Sequence, residues 1–138
     1  MKKIVLSALI VGLAMVVVGA MLGFIFNIVF SPLKAEYSNE NLFRPFSDPS
    51  FLSIYLIQPF IVAVLLSWLW SKVNMLLKEK NSGKKGLHFG FVYWLVTLPG
   101  LMLAYASSPY SLLMVGSWGV IGLTQALCAG LLISKINK

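Results

Sequence analysis

The chain has 138 residues, 59% of them hydrophobic and 11% charged, with a mean hydropathy of +0.87. A soluble domain carries about 25% charged residues, so this composition excludes an ordinary soluble globular protein and indicates a membrane protein. The net charge of +7 points either to nucleic acid or to a lipid surface, and the placement of the charges decides between them.

No Asp, Glu, Lys or Arg lies between Lys3 and Lys34, between Asp48 and Lys72, or between Lys85 and Lys135. At ~1.5 Å per residue, a helix needs about 20 apolar residues to cross a hydrocarbon core ~30 Å thick. The first gap holds one span, residues 4–30. Its start, Lys2-Lys3 with Val18-Gly19-Ala20 further on, resembles a signal peptide and its cleavage site. The apolar run nevertheless continues through Met21-Leu22-Gly23-Phe24-Ile25-Phe26, past the roughly 7 to 15 residues of a signal core, so the span is expected to be retained. Ala8, Gly12, Gly19 and Gly23 fall within an arc of about 60° at ~100° per residue, and Gly19 with Gly23 makes a GxxxG pair.

A connector over 31–50 follows, in which aromatic rings alternate with prolines and Arg44 stands four residues before Asp48. That spacing suits an ion pair folding the connector over the helices as a lid. The second span, 51–71, is rich in Leu, Ile, Val and Trp and has no stripe of small residues, so it is expected to face lipid most. A lysine-rich connector over 72–85 leads to the third span, 86–106, where Gly86, Gly90, Tyr93, Thr97, Gly100 and Ala104 share a face. The segment Ala106-Ser107-Ser108-Pro109-Tyr110-Ser111 reads as a turn, and the fourth span occupies 112–133. There Gly122, Ala126 and Gly130 recur at successive fours, which makes the first and fourth spans the best candidates for tight contact, with each other or with another copy. Pro59 and Pro99 sit inside spans, where each removes a backbone hydrogen bond.

Four crossings put Lys2, Lys3, Lys72, Lys78, Lys80, Lys84, Lys85, Lys135 and Lys138 on one side, with Lys34 and Arg44 on the other. The positive-inside rule then makes both termini and 72–85 cytoplasmic and 31–50 external. The basic balance is thus an orientation signal, with no nucleic acid implied. Lys78, Lys80, Lys84 and Lys85 also suit anionic lipid. The expected fold is all-α, a single domain over 1–138: a four-transmembrane-helix bundle with antiparallel neighbours.

Intramembrane ionisable residues are the usual pointer to chemistry in such a protein, and only His88, near the cytoplasmic end of the third span, qualifies. It has no second histidine and no carboxylate close in sequence, which argues against a metal site or haem. Cys128 is the only cysteine, so no dithiol chemistry is available. No base stands ready to activate a hydroxyl. The expectation is therefore a chain that is not an enzyme and uses no cofactor. What remains is uncharged polarity: Asn27, Gln58, Thr97, Ser117, Thr124 and Gln125, together with Trp118 seven residues before Gln125 on one helical face. These serve either as interhelical glue or as the lining of a path for a neutral solute.

Phe43-Arg44-Pro45-Phe46-Ser47-Asp48-Pro49, Phe91-Val92-Tyr93-Trp94, Leu98-Pro99-Gly100, Tyr105-Ala106-Ser107-Ser108, Ser117-Trp118, Gln125-Ala126 and Ala129-Gly130 resemble a group of small four-span bacterial membrane proteins of uncharacterised function. The likeness covers most of the chain; it implies a four-helix fold and no catalytic residue. Two functional expectations follow from the residues. The first is a non-enzymatic membrane protein acting through helix contacts, with itself or with a membrane protein partner. The alternative is a small oligomeric transporter or channel for a neutral or weakly charged solute, formed around Gln58, Thr97, Trp118 and Gln125.

Overall fold

A computed structural model describes residues 2–45 and 47–137. Phe46 of the connector motif and Lys138 of the charge bias lie outside the described residues, as do the side chains of Lys2 and Lys3. The described chain is helical: α1 (Lys2–Val29), α2 (Ser31–Tyr37), α3 (Pro49–Val73), α4 (Ser82–Ser107) and α5 (Leu112–Ile136). Four of these, α1, α3, α4 and α5, are long and apolar enough to cross a membrane. Each lies within four residues of the span read from the sequence.

Local chemistry sets the helix starts. Asp48 accepts a hydrogen bond from the Ser50 amide at 2.9 Å, with Pro49 opening α3, where a missing N–H costs nothing. Asn81 accepts from the amides of Gly83 and Lys84, which starts α4 four residues before the apolar stretch. Ser111 caps α5 through the Met114 amide at 3.0 Å. The short α2, unforeseen in the connector, begins at Ser31-Pro32 by the same proline logic. Pro59 and Pro99 leave α3 and α4 continuous.

The helices do not all touch. α5 packs along α4 and α1, α1 also packs along α3, and α3 meets α5 only sparingly. The backbones of α3 and α4, consecutive in sequence, scarcely approach each other, and the two helices meet through the rings of Trp70 and Phe89, 5.3 Å apart. The tightest approach is between α4 and α5. A methyl group on Gly130 would lie 2.9 Å from the Gly90 nitrogen, and one on Gly90 would lie 2.9 Å from the Ala126 carbonyl carbon. Backbone thus meets backbone, the packing that small residues permit in lipid.

This corrects two expectations. α1 and α5 do pack together, with Gly19 against the Gln125 side chain of α5, but the small residues Ala126 and Gly130 of the fourth span are taken up by α4, and Gly12 of α1 meets the Phe60 ring of α3. Gly122 makes only ordinary contact with Trp94, at 3.8 Å. The second span is not the one most open to lipid: α4 is the least buried of the four. Small residues mark where backbones approach, whereas large ones bury a helix equally well. α3 buries Ala63, Leu66 and Trp70 in the core although it has no glycine.

That core lies at one end, where Ala8, Val11 and Met15 of α1 meet Ala63, Leu66 and Trp70 of α3, Phe89 of α4, and Ala129 and Ile133 of α5. Polar side chains fasten the same end. Ser7 and Ser67, both buried, share a hydrogen bond of 3.0 Å, and Asn137 donates to Ser7 at 3.0 Å. Trp70 donates its indole N–H to the Asn137 carbonyl at 3.4 Å, and Ser82 donates to the Ser134 carbonyl at 2.6 Å.

Candidate functional site

Away from the core end, α1, α3, α5 and the connector border a cavity of about 760 Å³. Its walls are mostly apolar, with Val16, Ala20 and Phe24 from α1, Phe51 from α3 and Ile121 from α5. Asn27, Gln58, Trp118 and Gln125 line it as well. These four come from three helices, so the fold gathers Trp118 with three of the six uncharged polar residues singled out in the sequence. Thr97, Ser117 and Thr124 stay outside the cavity: their hydroxyls donate to carbonyls of their own helices, Trp94 at 2.7 Å, Met114 at 2.7 Å and Val120 at 3.0 Å, and α4 contributes no described residue to it.

The gathered side chains differ in what they bond. Gln125 Nε2 donates to the Met15 carbonyl at 2.7 Å and ties α5 to α1. Gly19 makes this approach possible, because a methyl group there would stand 2.5 Å from Gln125 Nε2. Trp118 donates its indole N–H to the Tyr37 hydroxyl at 2.6 Å, tying α5 to α2. Asn27 donates to the Gly23 carbonyl of its own helix at 2.8 Å, and its Oδ1 is buried without a donor among the described residues. Gln58 is exposed on α3 and makes no hydrogen bond among the described residues. Interhelical glue therefore describes Gln125 and Trp118, and not Asn27, Gln58 or Thr97. Gly23 also lines the cavity, with nothing within 4 Å of the position its Cβ would take.

The connector roofs this space. Phe43 lies 5.3 Å from the Tyr37 ring, 5.5 Å from Tyr110 and 6.2 Å from Trp118, ring centre to ring centre. Tyr110 also meets Trp118 edge to face at 5.0 Å, which makes one aromatic cluster of α2, the connector and the start of α5. Glu36 adds a second fastening, accepting from the Ser111 amide at 2.8 Å and the Ser111 hydroxyl at 2.6 Å. Burial raises the Tyr37 pKa above its usual value of 10.0, the Trp118 bond opposing this, so the phenol stays neutral. The ion pair expected of Arg44 and Asp48 is present at 3.8 Å, but Arg44 is 74% exposed and such a pair holds little. Asp48 is chiefly the cap of α3. Sequence reasoning placed Tyr110 in the turn before the fourth span and gave Glu36 and Tyr37 no role at the site; the one signal was the aromatic density of the connector.

At the core end His88 contacts Glu79, nine residues earlier. His88 has no carboxylate close in sequence, and the fold supplies one because the connector turns back on the first turns of α4. Its hydrogen bond holds the Glu79 carboxyl below the usual 4.5. Lys85 Nζ donates to the Asn74 carbonyl at 3.0 Å and closes the same loop.

Comparison with protein-family models, with curated proteins and with solved structures finds no match to this chain.

Proposed function

We propose that this is a non-enzymatic, multi-pass protein of the cytoplasmic membrane, and that its cavity holds a neutral or weakly charged small molecule for binding or passage. In this reading neighbouring spans run antiparallel, both termini face the cytoplasm, and the roofed end of the cavity faces outward. The charge bias supports that orientation, with nine basic residues against two. Lys78, Lys80, Lys84 and Lys85 then meet anionic headgroups at the inner surface. The resemblance to small four-span bacterial proteins belongs to the same proposal.

One observation carries the reading: Asn27, Gln58, Trp118 and Gln125, scattered through the sequence, line one cavity inside a single chain. Groups serving only as glue would be consumed in pairs, yet Gln58 is left without a partner among the described residues. The test is saturation-transfer NMR on the full chain in phosphatidylcholine nanodiscs, with urea, glycerol and benzyl alcohol as neutral probes. At least one probe is expected to give a signal that Gln58→Leu and the cavity-filling Gly23→Leu both abolish. If every signal survives both substitutions, the solute reading fails.

A second reading, an accessory role through helix contacts, draws on Gly100 and Gly116. Both are exposed, and neither has anything within 4 Å of its Cβ position. In a Cys128→Ser background, Gly116→Cys should form disulfide-linked dimers in membranes; a strictly monomeric product rejects that face.

A further inference from the structure

We propose that the occupant of the cavity is a membrane-soluble, uncharged molecule bearing a hydrogen-bonding group, and that it arrives sideways from the bilayer between α3 and α5. This rests on the reading of the cavity as a solute site and specifies the class of solute.

The class follows from the depth at which the polar groups stand. Gln58 is nine residues into α3 and Gln125 thirteen into α5, which at ~1.5 Å per residue puts them about 14 Å and 20 Å from the roofed end. Both are neutral amides. Gln125 commits Nε2 to the Met15 carbonyl and keeps Oε1 free of any bond among the described residues, while Gln58 has its whole amide to offer. The charged residues that line the cavity, Glu40 and Arg44, both belong to the connector at the rim. A charged headgroup brought to the amides would find no counter-charge there, and burying an unpaired charge is far costlier than burying a hydroxyl or carbonyl that hydrogen-bonds. Apolar walls of Val16, Ala20, Phe24 and Ile121 suit the remainder of such a molecule. The volume, about 760 Å³, lies within the range of sites for drug-sized ligands.

The route follows from which faces are closed. α1 packs along both α3 and α5, so that side is shut. The rim is roofed by the connector, held down through Phe43 and Glu36. α3 and α5 meet only sparingly, and their hydrogen-bonded link, Trp70 to Asn137, lies at the core end. Gln58 and Tyr55 line the cavity and are exposed on α3, beside that gap.

The test uses the full chain in phosphatidylcholine nanodiscs with two photoreactive probes, a diazirine-bearing dodecanol and the dodecanoate of the same chain, at a pH where the acid is ionised. Crosslinked residues are identified by mass spectrometry. The alcohol is expected to label Val16, Ala20 and Ile121, and Gly23→Leu to lower that labelling about tenfold while Met102 and Leu103, exposed on α4, label as before. The dodecanoate should label the cavity about tenfold less than the alcohol. Ala20→Phe is a second filling variant should Gly23→Leu not fold. Equal labelling by the two probes, or labelling that neither filling variant lowers, overturns the proposal. If the alcohol fails while urea or glycerol still gives a signal that filling abolishes, the membrane-soluble class and the lateral route fall and the solute reading stands. If all probes fail, both fall.

Discussion

At one end of this protein Gly90 of α4 and Gly130 of α5 leave no room for a methyl group, and at the other Gly23 of α1 has open space where one would sit. All three are glycines inside long apolar helices, and nothing in their immediate sequence separates them. The first two bring backbones together where a buried core and a closed set of hydrogen bonds, Ser7 with Ser67 and Asn137, complete the packing. The third borders a cavity in which Gln58 makes no hydrogen bond among the described residues. A glycine in a membrane helix thus reports a missing side chain, and only its neighbours say whether a helix or a void takes the place. The packed end suits holding four helices together, and the open end suits taking something in.

The comparison breaks most directly by adding volume at both ends. Gly130→Leu and Gly90→Leu force α4 from α5 against backbone atoms, and unfolding in bicelles should show a loss of about 3 kcal/mol or more. Gly23→Leu should leave stability unchanged or raise it by up to about 1 kcal/mol through helix propensity. Similar losses at all three positions would show that the two ends are packed alike.

A smaller effect is expected where the open end is fastened. Gln125→Leu removes the bond to Met15 and should cost about 0.6 to 2 kcal/mol. Gly19→Ala should cost a comparable amount by displacing the same side chain, and the double variant should lose less than the sum of the two. Full additivity would mean that Gly19 and Gln125 act independently.

Within the packed end, Ser67→Ala should cost about 1 kcal/mol and Ser7→Ala more, because Ser7 also receives the Asn137 bond. A larger loss for Ser67→Ala in the same unfolding assay would remove Ser7 from the centre of that network.

The smallest effect concerns the loop at the core end. Glu79 has a carboxyl pKa depressed below 4.5 by the His88 hydrogen bond, so its contribution is present above that value and lost as pH falls through the lowered one. Hydrogen-exchange protection factors over 74–81, which take out the slower intrinsic exchange in acid, should therefore fall on acidification, and Glu79→Gln should abolish the change. A wild-type loop indifferent to acid would exclude the pair as a fastening.

How much of this was legible in the sequence varies by residue. The four spans were, because a run such as 112–133 without charge has only one stable setting in lipid. The helix caps were partly so: Asp48 before Pro49 is a local signal, but it was taken for the partner of Arg44, since a carboxylate serves either role and only the backbone geometry shows which. The polar residues were recognised one by one as the ones that matter. Their grouping was read around Gln58, Thr97, Trp118 and Gln125, whereas the cavity takes Asn27 and leaves Thr97 out. Thr97 and Gln125 read alike in sequence, yet one turns back to its own helix while the other reaches a carbonyl 110 residues away. Tyr37 went unmarked because nothing near it announces that its hydroxyl will accept from Trp118.

The sequence by itself determined that the chain is helical, where its four long apolar helices run, and that no Asp, Glu, Lys or Arg lies within the apolar runs, since hydropathy and helix length are properties of contiguous residues. Tertiary structure alone decided that α3 and α4 meet only through side chains such as Trp70 and Phe89, that α4 takes the small face of α5, and that Gln58 and Gln125 share a cavity. In a bilayer every helix face is already apolar, so no hydrophobic pattern selects a partner. Shape does, and shape belongs to pairs of helices distant in the chain.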